Sequence, residues 1–97
     1  MGMIYGTLLP KVPHAGEDEV VLFAAESTRD VFDRIQDEAP KAGYRWIGGN
    51  LYQRGPVVYV GYWTTPESVE LAIGARERGF YGGPEQAARM RRAYAFV

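Results

Sequence analysis

The chain has 97 residues, no cysteine, 46% hydrophobic and 24% charged residues, and a formal net charge of −1. That suffices for one domain with one modest core, since roughly 65% of the unfolded surface is buried at this size, and it argues against a general nucleic-acid binder, whose affinity comes from Lys and Arg meeting phosphates. Disulfides, thiolate catalysis and cysteine-ligated zinc are excluded; no apolar run nears the ~20 residues of a membrane helix, and MGMIYGTLLP lacks an export pattern, so a cytoplasmic protein is expected.

In chain order, residues 3–9 (MIYGTLL) read as a strand closed by the turn-rich PKVPHAGED. VVLFAA (20–25) is a continuous apolar run, read as a buried strand. Ser27 or Thr28 then caps a predicted helix over 29–39, with Asp30 in its first turn and Val31, Phe32, Ile35 and Ala39 as its apolar stripe. Pro40 and Gly43 end it. Residues 44–54 and 57–64 form a predicted hairpin about Gly55-Pro56, where glycine accepts the positive φ of a type II′ turn.

Thr64 or Thr65 caps a further helix, with Pro66 in its first turn, Val69, Ala72 and Ile73 on its buried side, and Gly79 past its end. A glycine-rich loop (80–83) leads to a short helix over 84–92, and 93–97 read as a last strand. The expected fold is therefore a single α+β domain over 1–97: a ferredoxin-like sandwich, antiparallel sheet below, helices on one face.

Pairing Arg54 with Val57 across the turn sets Leu51 opposite Val60 and Tyr52 opposite Tyr59. Ile47, Leu51, Val58, Val60 and Tyr62 then share one face, and Tyr44, Trp46, Tyr52, Tyr59 and Trp63 the other. With helices expected over the first face only, the aromatic face needs a cover of its own. A contiguous bare patch of several hundred Å² is unusual on a soluble monomer. The expected cover is a second copy of the chain, a small molecule or a protein partner. Candidate ligand-binding or interface residues are thus Tyr44, Trp46, Tyr52, Tyr59 and Trp63, with Asn50 and Arg45 as polar handles.

Chemistry-bearing patterns are sparse. His14 is the single histidine, without the spacing of a metal site, and no cofactor is called for by the residues. The acids Glu17, Asp18, Glu19, Asp33, Asp37 and Glu38 read as solvated faces. Arg76, Arg78, Arg89, Arg91 and Arg92 make residues 76–92 locally basic, a candidate anion or partner patch, whereas 17–38 carry eight acids against Arg29 and Arg34.

The run GYRWIGGNLYQRGPVVYVGYWTTPESVELA, about a third of the chain, resembles the antibiotic biosynthesis monooxygenase-like family. There a glycine-aromatic turn feeds a hairpin whose second strand ends in Trp before a helix start, matched by Trp63, Thr64, Thr65 and Glu67. The resemblance implies a dimeric α+β barrel with two sheets face to face, a small-molecule cavity and, in some branches, cofactor-independent oxygenation or haem degradation. The haem-degrading branch's Asn in the first strand and His in the second helix have no counterpart in residues 3–9 or 69–78, and VVLFAA is an extra run. The resulting expectation is a homodimer binding a small apolar or aromatic molecule, with the cofactor-independent oxygenation that the resemblance implies as its activity; the alternative is a non-catalytic protein-interaction module docking on a macromolecular partner through its aromatic sheet face or charged patches.

Overall fold

A computed structural model describes residues 2–12 and 18–95. Its elements are β1 (Ile4–Pro10), β2 (Val20–Ala25), α1 (Val31–Lys41), β3 (Arg45–Gly48), β4 (Leu51–Arg54), β5 (Val57–Thr64), α2 (Pro66–Glu77) and α3 (Gly83–Tyr94). The strands form one antiparallel sheet in the order β2-β1-β5-β4-β3. This is an α+β architecture with three helices among the described residues, and none of them is long and apolar enough to cross a membrane.

The hairpin register follows the sequence reading: Arg54 pairs with Val57, Leu51 with Val60 and Tyr52 with Tyr59. Gly55 sits at φ 58, which suits glycine and few other residues at the first central turn position. The predicted single strand 44–54 is instead two, β3 and β4, because Gly48 and Gly49 at φ 122 and 54 turn the chain back on itself. VVLFAA is a strand as expected, and it occupies one rim of the sheet. Leu22 is an extra residue there: Gly6 pairs with Phe23 and Thr7 with Val21, leaving a bulge between them.

Helices lie on both faces of the sheet, which corrects the expectation of one. Ile4 and Tyr5 are neighbours on β1 and so point to opposite sides. Ile4 clusters with Val31, Ile35 and Ala39 of α1, together with Leu8, Phe23, Tyr44, Tyr52, Val57 and Tyr59. Tyr5 clusters with Val69 and Ile73 of α2 and with Ala87 and Met90 of α3. The short C-terminal segment read as a strand contributes to this second cover, since α3 continues to Tyr94; residues 96 and 97 lie outside the described residues.

The faces of the hairpin are also exchanged relative to expectation. Tyr44, Tyr52 and Tyr59 are core residues beneath α1, while Leu51, Val58 and Val60 are only half-buried and Tyr62 is 46% exposed. The physical reason is room. Small and branched side chains line α1, and Gly61 faces it closely enough that an added Cβ would stand 3.3 Å from Ile35 Cγ2 and from Tyr52 Cε1. Gly6 likewise lets the Phe23 ring lie flat upon β1. Large rings fit over glycines and under short helix side chains, so the bulky face is the inner one.

Candidate functional site

Two neighbouring features, joined at Asp18 and Glu19, gather the polar chemistry of the molecule. The first is a cleft of about 610 Å³ at the end of the sheet on the α1 side, lined by Asp18, Glu19, Val20, Tyr44, Arg54, Gly55 and Tyr59. Tyr44 and Tyr59 meet edge to face with ring centroids 5.0 Å apart. The Arg54 guanidinium lies 5.4 Å from the Tyr44 ring centre and donates to its hydroxyl at 3.3 Å. Tyr44 reaches this place because Gly43, at φ 92, reverses the chain after α1, and the Tyr44 N–H then bonds the Ala39 carbonyl at 3.0 Å.

The second feature is a polar seam between the sheet and the α2–α3 pair. Tyr94, in the last turn of α3, packs edge to face on Tyr5 at 5.2 Å. Its phenol is hydrogen-bonded with Glu19 and stands beside Thr7 and Tyr62, which face each other across β1 and β5. Arg76 reaches toward Glu19 from α2 while donating to the Ala72 carbonyl at 2.9 Å, and Arg89 of α3 approaches Asp18 at 3.6 Å. Thr7 is fully buried. Its hydroxyl stands beside the Tyr94 phenol, Asp18 Oδ1 faces Arg89, and Arg76 Nε is buried without a hydrogen-bond partner.

Burial dominates the titration here. It lifts the Glu19 carboxyl above its ordinary 4.5 despite the opposing pull of the Tyr94 hydroxyl and Arg76; the nearby Asp18 charge adds to the rise. The Tyr94 phenol is pushed far up, by burial first and then by the Glu19 charge. A carboxyl raised by burial, beside a phenol at a cleft edge, can exchange a proton or meet a hydrogen-bonding ligand.

No family model, curated protein or solved structure matches the chain.

Of the residues singled out from the sequence, Tyr44 and Tyr59 line the cleft, and Tyr52 is buried in the core beside them. Trp46 lies apart from the cleft, 52% exposed, its indole N–H donating to the Gly49 carbonyl at 2.8 Å so that it closes its own turn. Trp63 is 38% exposed opposite Gly6. Asn50 pins the β3–β4 turn to β5, donating to the Gly61 carbonyl at 3.2 Å and accepting at its own carbonyl from the Gly61 N–H at 2.6 Å. Arg45 donates to Gln53 across β3 and β4.

Arg91 bridges Glu70 and Glu77 within the α2–α3 pair, Arg89 meets Asp18, and Arg76 lies over the Tyr81 ring; Arg78 and Arg92 have no ion pair among the described residues. His14 lies outside the described residues. Among those described, no cluster of ligating side chains could hold a metal. The seam residues Thr7, Glu19, Tyr62 and Tyr94 come from four separated segments; periodicity marks faces but says nothing of which helix end meets which strand.

Proposed function

We propose that the protein is a homodimer of the sheet-against-sheet α+β-barrel kind that binds a small apolar or aromatic molecule. The observation that supports this reading is the row Leu51, Val58 and Val60: half-buried apolar side chains on the second sheet face that belong to neither buried cluster. A second copy rotated about an axis through β5 sets like strips against each other, the self-complementary arrangement of a two-fold interface. The small molecule belongs in the cleft bounded by Tyr44, Tyr59 and Glu19, whose volume suits a compact ligand.

Native mass spectrometry tests both halves together. The expected species has twice the 10.8 kDa chain mass, and Val58→Asp combined with Val60→Asp returns it to one chain with the fold intact by circular dichroism. A wild-type protein that stays single at every concentration overturns the dimer; a preparation to which no aromatic probe binds, in the face of a library of such molecules, overturns the ligand reading.

A second reading, a non-catalytic module docking on another macromolecule, is favoured by a separate observation. Phe80 and Tyr81 project at the α2–α3 turn, and Leu71 is exposed on α2. Tyr81 is held there at φ 48. Under this reading Phe80→Ser and Tyr81→Ser weaken partner capture and leave the oligomeric mass unchanged.

A further inference from the structure

We propose that the recess between β1, α2 and the last turns of α3 is a second binding site, which takes a small organic ammonium ion carrying a ring-sized apolar body. The recess measures about 200 Å³, and its lining includes Tyr5, Val69, Ile73 and Tyr94 together with Glu70 and Arg91. Its floor is apolar: Tyr5, Val69 and Ile73 are buried, and the Tyr94 ring stands edge to face on Tyr5 with centroids 5.2 Å apart. About 150 Å³ suffices for one benzene ring, whereas water on such a floor meets ring and branched carbons in place of the polar partners it needs.

The charge at the mouth selects the ligand's sign. Glu70 and Arg91, with side chains 66% and 49% exposed, stand 3.5 Å apart there, and Arg91 also reaches Glu77 at 3.3 Å. Two carboxylates thus share one guanidinium, which leaves one negative charge uncompensated within the triad. An anionic ligand would have to displace a carboxylate already seated on Arg91. An ammonium group, compact and armed with three donors, adds to Glu70 without breaking either pair. The tyrosine faces beneath favour a cation-bearing ring over a purely apolar one. The site shares no lining residue with the Tyr44–Tyr59 cleft, and none with the row Leu51, Val58 and Val60.

Backbone-amide NMR of the whole chain, titrated with 2-phenylethylamine, phenylacetate and ethylamine, tests the site. 2-Phenylethylamine is expected to give saturable shifts at Tyr5, Val69, Glu70, Ile73 and Tyr94. Phenylacetate, of like shape and opposite charge, and ethylamine, which lacks the ring, each bind about tenfold more weakly or worse. Glu70→Gln, a change at an exposed position, weakens 2-phenylethylamine roughly fivefold, the scale of one exposed ion pair, and narrows its lead over phenylacetate. Equal or tighter binding of phenylacetate overturns the proposal, as does wild-type affinity in Glu70→Gln, or a failure to saturate by about 10 mM, where a millimolar site would be filled. Shifts confined to Tyr44 and Tyr59 also overturn it, while leaving the cleft as a ligand site.

Discussion

At Gly6 the Phe23 ring occupies the space of a side chain, and at Gly61 a Cβ would press on Ile35 and Tyr52. Gly6→Ala is expected to destabilise the fold by about 1–3 kcal/mol, the usual cost of overpacking, measured by urea denaturation. Phe23→Leu in the same chain should recover part of that loss, since the two groups contest one volume. A different residue-scale effect concerns alkali. Tyr94 and Tyr52 both have phenols raised above 10 by burial, so their contribution is intact below pH 10 and fades as pH climbs past it. Tyrosinate absorbance should therefore rise in step with unfolding, and Tyr94→Phe should move that transition to higher pH.

Among the elements, α2 is legible apart from the choice between Thr64 and Thr65 as its cap: Thr65 caps it, its Oγ1 accepting the Ser68 N–H at 3.2 Å, with Pro66 at the first helical position. Thr65→Ala is expected to cost about 1 kcal/mol, read as a lower thermal midpoint. The sequence places the start of α1 at Arg29, whereas the helix begins at Val31. Ser27 accepts the Arg29 N–H at 2.9 Å in a tight turn, and the residue at the cap is Asp30, at φ 56 with no capping side-chain bond. Left-handed backbone strains a residue bearing a Cβ, so Asp30→Gly should leave stability unchanged or raise it by about 0.5–1 kcal/mol, against the loss expected of glycine elsewhere. Strand existence, pairing and turn chemistry are local and were readable. Which side of a hairpin turns inward depends on Gly61, Gly6 and the bulk of α1, and alternation alone carries no sign.

For the molecule as a whole, the sequence supported one α+β domain with an antiparallel sheet, while the disposition of helices required the structure. The element order, like that of a two-layer sandwich, places all helices on one side; Tyr5 and Ile4 separate them. The candidate site was half visible. Tyr44 and Tyr59 stand out by their alternation, but Glu19 looks like any solvated acid in the run 17–19, and its partner Tyr94 lies 75 positions away.

The rim strand β2 carries VVLFAA without a lysine or proline to blunt it, and the single irregularity on it is the extra Leu22. That kink keeps two such rims from lying straight enough to zip together. Deleting Leu22 would give an unbroken, uncharged ribbon, and the protein's principal hazard would then be fibril growth, visible as seeded thioflavin fluorescence at concentrations where the natural chain stays clear.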